Sequence, residues 1–421
     1  MTEATTQPGR VLAADGTPLK RSLARALRMQ KIRALMLVAP LLIFVLVTFI
    51  APIADMLFRS IENQVVKDTI PRTVEALDSW DPHSTELPPE AVFAALQADL
   101  VEAVDQKTHT RLGSRLNYEY SGAASLLRKT GRGVEKMKAP YQEAFLKVDK
   151  DWGDLELWRT LYIYSPAYTN GYFLNAVDLK KGIDGPEARP ENEQIYILLF
   201  KRTMFMSLVI TFSCIMLGYP VAWILANIRA RTANLLMILV LLPFWTSLLV
   251  RTSAWKVMLQ QEGVINETLV WLGLVADNDR LILINNQFGT IVAMTHILLP
   301  FMILPMYSVM KTIPPSYLRA AKSLGATNWT AFWRVYFPQS VPGIGAGSIL
   351  VFILAIGYYI TPEIVGGTDG TFISNRIAYH ISKSLNWGLG AALGAILLGA
   401  VLLLYYVYDK IVGIDNVKLG G

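Results

Sequence analysis

Six long apolar stretches, none of which contains an Asp, Glu, Lys or Arg, constrain the fold of this chain more than any other feature. A membrane-spanning helix needs about 20 consecutive, largely apolar residues, whereas buried helices of soluble proteins show apolar runs of roughly 10–14. The stretches are residues 34–54, 203–228, 232–250, 281–310, 339–362 and 384–408. They predict an all-α membrane protein with six transmembrane helices.

The composition excludes the other broad classes of protein. Of the 421 residues, 53% are hydrophobic and 17% are charged, whereas soluble domains carry about 25% charged residues. Disordered chains are poor in apolar residues and rich in charge, so disorder is excluded as well. Cys214 is the one cysteine of the sequence, so an intrachain disulfide is impossible.

The distribution of Lys and Arg predicts the orientation in the membrane, because cytoplasmic loops carry more of both. With the N-terminus inside, the inner segments hold 15 such residues and the short outer loops hold five. The inner ones are Arg10, Lys20, Arg21, Arg25, Arg28, Lys31, Arg33, Arg229, Arg231, Lys311, Arg319, Lys322, Arg334, Lys410 and Lys418. The outer ones are Arg251, Lys256, Arg280, Arg376 and Lys383. Both termini are therefore predicted to be cytoplasmic.

This orientation divides the chain into a basic cytoplasmic tail (1–33), a first transmembrane helix (34–54), an extracytoplasmic insertion (55–202) and a transmembrane core (203–421). The insertion holds 23 acidic and 19 basic side chains. Pro88-Pro89-Glu90 begins a run with helical spacing of apolar residues, so the insertion is predicted to be mostly helical. Its many aromatic rings form either the core of a helical domain or a site for a sugar or cation.

The sequence lacks the residues that ATP hydrolysis, metal binding and proton-driven transport usually require. The sequence lacks a GxxxxGK[ST] phosphate loop, so we do not expect an enzyme that hydrolyses ATP by that route. Four histidines without paired spacing and one cysteine give no metal site. His296 is interpreted as a helix–helix hydrogen-bonding group rather than a proton relay. The predicted spans contain no carboxylate, which argues against a proton-driven secondary carrier.

The predicted loop 311–338 between spans four and five contains two short amphipathic segments. Pro314-Pro315 ends the fourth span, and Ser316 is predicted to cap a helix that stops at Gly325. Asn328 is predicted to cap a second helix, rich in aromatic residues, that ends before Pro338. Such helices either dock a partner or lie on the bilayer surface.

The loop resembles the signature of permease subunits of binding-protein-dependent ABC importers. That signature is Glu-Ala-Ala, three residues, Gly, nine residues and Ile-x-Leu-Pro; this chain has Arg319-Ala320-Ala321, Gly325 and Val335-Tyr336-Phe337-Pro338 at the same spacing. The resemblance implies a coupling helix that contacts an ATPase subunit, with Arg319 in place of the usual Glu. The implied contact residues are Tyr317, Arg319, Ala320, Ala321, Gly325, Ala326, Trp329 and Pro338.

Two further stretches resemble spermidine/putrescine-type permeases in particular: residues 242–255 with the following 263–266, and residues 357–367. The resemblance covers the first span and residues 200–421, but not the insertion. It implies a substrate path at the outer mouth, with aromatic faces and one acid for a polycation. The candidate path residues are Trp245, Arg251, Trp255, Tyr358, Tyr359 and Glu363. Arg251 would suit an anionic solute, such as an opine or amino acid, or would anchor the helix at the interface.

The resemblance also implies the surroundings in which the chain works. The partners are a second homologous permease subunit, two ATPase subunits that bind ATP and Mg²⁺, an extracytoplasmic substrate-binding protein and the lipid bilayer of a bacterial inner membrane. No cofactor or metal in this chain, and no nucleic acid, is expected. The implied mechanism is alternating access driven by the ATPase. An ion-coupled secondary carrier and a non-transporting scaffold are the alternatives.

Overall fold

The computed structural model describes residues 19–412, with side chains described for residues 27–410. Arg10, Lys418 and the first half of the basic tail lie outside the described residues. The chain divides into two compact units, Met1–Phe58 and Arg59–Gly421.

The described part of the first unit is a continuous helix. Helix α1 (Leu19–Val45) passes through a π-helical turn (Leu46–Ile50) into α2 (Ala51–Arg59). Residues Leu27–Arg59 have a mean hydropathy of 2.8, and no residue of the most apolar window is buried. The predicted span 34–54 therefore lies inside a longer helix whose apolar surface is uncovered within its own unit.

The second unit begins with a helical region that corresponds to most of the predicted insertion. Its helices are α3 (Gln64–Thr69), α4 (Pro71–Leu77), α5 (Glu90–Asp105), α6 (His109–Leu116), α7 (Ala123–Gly131), α8 (Tyr141–Val148), α9 (Leu155–Ile163) and α10 (Gly171–Ala176). Short 3-10 turns lie at Val134–Lys136, Lys150–Gly153 and Glu191–Glu193. Strands β1 (Leu179–Lys181) and β2 (Pro186–Ala188) form an antiparallel hairpin, with Leu179 opposite Ala188.

An aromatic cluster forms the core of this helical region. Phe93 of α5 lies 4.6 Å from the ring of Trp158, and Phe145 lies 4.9 Å from Trp152. Both indole N–H groups find acceptors inside the core, at the Thr130 hydroxyl and at the Trp152 carbonyl. These four rings are 0–1% exposed, so they pack as core and leave no face open to a ligand, whereas Tyr168 of the same region is 56% exposed.

The remaining helices include the other apolar spans. They are α11 (Tyr196–Asn227), α12 (Ala230–Leu241), α13 (Leu248–Met258), α14 (Val264–Trp271), α15 (Gln287–Thr312), α16 (Pro315–Ser323), α17 (Asn328–Ala331), α18 (Phe337–Gly357), α19 (Ile360–Val365), α20 (Ile373–Ser382) and α21 (Trp387–Val412). Further 3-10 turns lie at Leu242–Trp245 and Asp277–Asp279. Among residues 27–410, five helices are long and apolar enough to cross a membrane, and the bent pair α12–α13 provides a sixth.

Helix α11 begins earlier than the predicted span 203–228 because a carboxylate caps its first turn. The side chain of Asp178, which is 4% exposed, accepts the backbone N–H groups of Ile195, Tyr196 and Ile197 at 3.0, 2.9 and 2.8 Å. A negative group at a helix N-terminus accepts hydrogen bonds from backbone N–H groups that have no partner within the helix, and its charge interacts favourably with the helix dipole. The segment next to β1 thus fixes where the second span starts.

The prediction that residues 232–250 form one continuous helix is wrong. The chain leaves α12 through the 3-10 turn Leu242–Trp245, and α13 is turned by 93° relative to the preceding segment. Pro243 has no N–H to continue the ladder of α12. The hydroxyl of Ser247 then accepts the N–H of Val250 at 3.2 Å and starts a new helix in a different direction.

The prediction of a second, separate helix in the loop is also wrong. Helix α17, a π-helical turn (Phe332–Tyr336) and α18 form one continuous 30-residue helix, Asn328–Gly357. Pro338 follows the π-helical turn, so its missing N–H interrupts the ladder without ending the helix. The caps differ as well: Pro315, not Ser316, begins α16, and the hydroxyl of Thr327 accepts the Thr330 N–H at 3.2 Å.

Helices α11, α15 and α18 pack around a core rich in methionine. Met206, Met302 and Met306 are 0% exposed. A β carbon at Gly343 would lie 3.0 Å from the Met306 Cα, and one at Gly347 would lie 2.7 Å from the Met302 sulfur. Small residues at these positions let α18 approach α15 closely, as is common between membrane helices.

Candidate functional site

The exposed loop helix α16 has a defined beginning and end. Pro315 occupies its first turn, where the missing N–H has no helical partner to lose. At the other end, Gly325 has φ +87°; its N–H donates to the Lys322 carbonyl at 3.0 Å, and the Ala326 N–H donates to the Ala321 carbonyl at 3.1 Å. This pair of bonds is a Schellman cap, so the predicted stop at Gly325 is confirmed.

The loop exposes a large apolar surface that carries only positive charges. Tyr317 is 50% exposed, Leu324 89% and Trp329 72%; Arg319, Ala320 and Pro338 are exposed, while Ala321 and Ala326 are partly buried. Residues 311–338 contain Lys311, Arg319, Lys322 and Arg334 and no Asp or Glu. Apolar patches with charged rims mark surfaces that bind a partner.

Aromatic contacts connect this loop to the C-terminal end of α11. Phe332 stacks on Tyr336 with centroids 5.9 Å apart, and Tyr219 of α11 contacts Phe332 edge-on at 6.2 Å. The amide of Asn227 donates to the Tyr336 hydroxyl at 3.3 Å. Because α17 also continues directly into α18, the loop is connected to two of the core helices.

A second cluster lies where the bent span meets α15. On α13, the indole N–H of Trp255 donates to Nδ1 of His296 at 3.0 Å, with ring centroids 5.4 Å apart. This bond agrees with the interpretation of His296 as a helix–helix hydrogen-bonding group. Arg251, one turn before Trp255, lies within electrostatic range of His296 and Tyr358. Its Nε is buried and has no hydrogen-bond partner among the described residues.

A second helix break faces this cluster. Helix α18 ends at Gly357, and α19 begins at Ile360 after Tyr358 and Tyr359. The hydroxyls of Thr252 on α13 and Thr361 on α19 lie 3.1 Å apart and are buried. The two interrupted segments are therefore joined by a hydrogen bond, and both interruptions are at the same end of the molecule as Arg251 and Trp255.

Helix α20 supplies side chains that satisfy the carbonyls freed at the α18–α19 break. The hydroxyl of Ser374 donates to the Tyr358 carbonyl at 2.6 Å, and the amide of Asn375 donates to the Tyr359 carbonyl at 2.9 Å. The same amide donates to a Glu363 carboxylate oxygen at 2.7 Å. Non-helical backbone at membrane depth needs such partners.

The structure brings together most, but not all, of the predicted path residues. Arg251, Trp255 and Tyr358 lie around the two breaks, and Tyr359 and Glu363 share the Asn375 amide. Trp245 is 73% exposed, and it is its neighbour Phe244 that contacts the ring of Phe301 on α15, at 4.9 Å.

Sequence reasoning did not find Thr252, Thr361, Ser374 and Asn375. Each is a small polar residue whose partner is 12 to 109 residues away in sequence. The signal that could have found them is their position: the two threonines lie within the stretches that resemble permeases, and Ser374-Asn375 lie between the fifth and sixth apolar stretches.

Comparison with known proteins gives one family. Residues 218–413 match the family described as binding-protein-dependent transport system inner membrane component. The spermidine/putrescine transport system permease protein PotB of Salmonella typhimurium (strain SL1344) is 35% identical over 217 residues, covering 51% of this chain and 75% of that protein. The protein of the same name from Escherichia coli (strain K12) is 34% identical over 217 residues, covering 51% and 78%.

Among solved structures, a bacterial alginate ABC transporter in complex with alginate pentasaccharide-bound periplasmic protein matches with a TM-score of 0.42 and 20% sequence identity. The match covers 54% of this chain and 81% of that chain.

Proposed function

Because this chain belongs to the family of binding-protein-dependent transport system inner membrane components, we propose that it forms half of the translocation path of an ATP-driven polyamine importer. The chain is a multi-pass inner membrane permease subunit and is not itself an enzyme. The ATP and Mg²⁺ of the proposed complex are bound by two ATPase subunits. A second permease subunit completes the path, and a soluble binding protein delivers the substrate.

The observation that carries the substrate proposal is the identity of 35% to a spermidine/putrescine permease across three quarters of that protein's length. The chemistry of the outer mouth agrees with it. Polyamines are flexible polycations, which need carboxylates or aromatic faces when they leave water. Glu363 and Tyr359 are both exposed at the α18–α19 break, so a cation can reach a carboxylate and an aromatic ring there.

One observation favours a different substrate for the same kind of importer. Arg251 has a buried Nε without a partner and lies near His296 and Tyr358. An unpaired guanidinium donor suits the carboxylate of an opine or amino-acid-like solute. For a polyamine path, Arg251 instead has an interfacial or structural role.

The loop 311–338 supports the proposal that an ATPase drives the transport. Its apolar residues Leu324 and Trp329 are 89% and 72% exposed and Tyr317 is 50% exposed, and its charges are all positive. We therefore expect the docking cleft of the ATPase to be apolar with an acidic rim, which matches Arg319 where related permeases carry Glu. Differential contact with the two states of the ATPase would transmit the motion to α11 and α18.

The proposed orientation follows from the excess of Lys and Arg in the inner segments. It puts the loop 311–338 in the cytoplasm, where the ATPase is, and the insertion 55–202 outside. The two helix breaks then lie at the outer end, where a binding protein delivers substrate. Both termini are cytoplasmic in this arrangement.

A substrate panel with two variants tests the proposal. In cells that express the whole importer, Glu363→Gln should reduce uptake of labelled spermidine or putrescine about tenfold, as expected for loss of a charged contact. Arg251→Ala should have a smaller effect, and membrane levels of both variants should equal those of the wild type.

The opposite pattern would refute the polyamine assignment. If the cells take up no polyamine, and Arg251→Ala removes the uptake of an opine or amino acid, the importer carries an anionic or zwitterionic solute. Glu363→Asp is the matched control, because it keeps the charge and should retain more of the polyamine uptake than Glu363→Gln does.

A further inference from the structure

Asn375 on α20 has an unusual set of partners for a buried amide. It is 7% exposed. Its Oδ1 accepts the Phe372 N–H at 3.0 Å, and its Nδ2 donates to the Tyr359 carbonyl at 2.9 Å and to Oε2 of Glu363 at 2.7 Å. One side chain therefore fixes the start of α20, the backbone at the α18–α19 break and the carboxylate beside that break.

The bond to Glu363 restricts a side chain that would otherwise be mobile. Glu363 is exposed, and an exposed glutamate samples several rotamers at little cost. A hydrogen bond of 2.7 Å from a buried amide selects the rotamers that keep Oε2 in place. The other oxygen, Oε1, has no hydrogen bond to any described side chain or N–H group, so it stays open to a ligand.

The nature of the donor matters as much as its position. A carboxamide is neutral, so it orients the carboxylate without cancelling its charge. No salt bridge within residues 27–410 includes Glu363, and the arginines of α20 and α11 have other partners. Arg376 lies 5.8 Å from the Tyr379 ring, and Arg202 donates to the Thr368 carbonyl at 2.7 Å and lies 3.8 Å from Asp369.

We propose that Asn375 is a positioning residue for polycation transport, which holds the Glu363 carboxylate with one oxygen directed to a substrate ammonium group. The inference rests on the proposed function, because it concerns the acid that recognises the polyamine. Asn375 itself does not contact the substrate. It acts through the orientation and the undiminished negative charge of Glu363.

A double-mutant cycle tests this role. In the complete importer, Asn375→Ala should raise the KM for spermidine uptake about fivefold. Glu363→Gln should raise it at least as much. In the Glu363→Gln background, Asn375→Ala should cause no further increase in KM, because the carboxylate that it orients is already gone. Independent, multiplicative effects on KM would overturn the proposal.

Two further variants separate positioning from folding. Asn375→Asp keeps an acceptor for the Phe372 N–H and loses the donation to Glu363, so it should also raise the KM. This variant replaces Asn375→Ala in the test if Asn375→Ala fails to reach the membrane. Ser374→Ala removes a neighbouring bond to the same break, the one to the Tyr358 carbonyl, without touching Glu363. It should change the KM less than twofold; a change equal to that of Asn375→Ala would mean that only the integrity of the break matters.

The cycle also distinguishes this inference from the proposed function. If Glu363→Gln raises the KM and the Asn375 effect is additive, the positioning role fails and the polyamine assignment stands. If Glu363→Gln leaves the KM for spermidine unchanged, the roles of Glu363 and Asn375 both fail while the polyamine assignment stands. If the wild-type importer takes up no spermidine, the polyamine assignment itself fails.

Discussion

At the scale of single residues, Gly325 combines a left-handed backbone conformation with a proposed position in the contact with an ATPase. Its φ of +87° is in the left-handed region, which costs other L-residues about 1–2 kcal/mol. A β carbon there would meet no atom within 4 Å, so the turn itself tolerates Asn or Asp, which visit this region most readily. The surface around it is proposed to lie against an ATPase, so the same substitutions distinguish a turn residue from a contact residue.

We predict that Gly325→Asp lowers substrate-stimulated ATP hydrolysis and uptake at least tenfold, while the subunit still reaches the membrane. A carboxylate buried in an interface without a partner costs several kcal/mol, whereas the turn loses little. Gly325→Asn is the matched variant, with nearly the same shape and no charge, and should retain more uptake. Wild-type uptake by the Asp variant would show that Gly325 serves only the turn.

At the scale of elements, two interrupted helices meet at one end of the core. Helix α13 is turned by 93° after Pro243, and α19 is separated from α18 by Tyr358 and Tyr359. The buried hydroxyl pair of Thr252 and Thr361, 3.1 Å apart, joins them. The break geometry thus depends on polar contacts between segments rather than on either segment alone.

Removing this hydroxyl pair gives a prediction about stability. Thr252→Val or Thr361→Val leaves one buried hydroxyl unpaired and should cost about 1–3 kcal/mol, whereas the double variant should cost less than the sum of the two. The thermal midpoint of the purified complex in detergent measures this. Thr268→Val, which alters an exposed hydroxyl bonded within its own helix, is the control and should shift the midpoint little. Additive shifts for the two buried positions would argue against the bond.

The same elements show what could be predicted from sequence. The apolar stretches predicted where the helices lie, because hydrophobicity over about 20 residues is a local property. Gly325 and the α5 core residues were predictable for the same reason, since a turn residue and a helical period are both visible locally. The bend after Pro243 was not predictable from the sequence, since Pro is often tolerated in membrane helices. Asn375 was not either, because its role depends on the tertiary position of Glu363.

At the scale of the whole molecule, the main open prediction is the orientation in the membrane. The residues matched to the family, 218–413, do not include the helical region 59–195. That region has its own aromatic core, and it caps the start of α11 through Asp178. It therefore packs as a folded domain rather than a loop, and its side of the membrane determines which partners it can meet.

Labelling of single cysteines measures this orientation. In a Cys214→Ala background, cysteines at the exposed positions Ser121 and Ser323 should differ in reactivity toward a membrane-impermeant thiol reagent. In intact spheroplasts Ser121→Cys should be labelled and Ser323→Cys should not, and permeabilisation should make both reactive. Labelling of Ser323→Cys alone in intact spheroplasts would reverse the orientation.

In the proposed function, this subunit conducts polyamines at the expense of ATP hydrolysed by a partner. Accumulation of radiolabelled spermidine in proteoliposomes that contain both permease subunits, the ATPase and the binding protein tests it most directly. We predict that spermidine accumulates only in vesicles that contain ATP and Mg²⁺ and whose ATPase subunits face the lumen. Gly325→Asp should abolish this accumulation. Accumulation driven by an ion gradient without ATP, or no accumulation of spermidine with any energy source, would refute the proposed function.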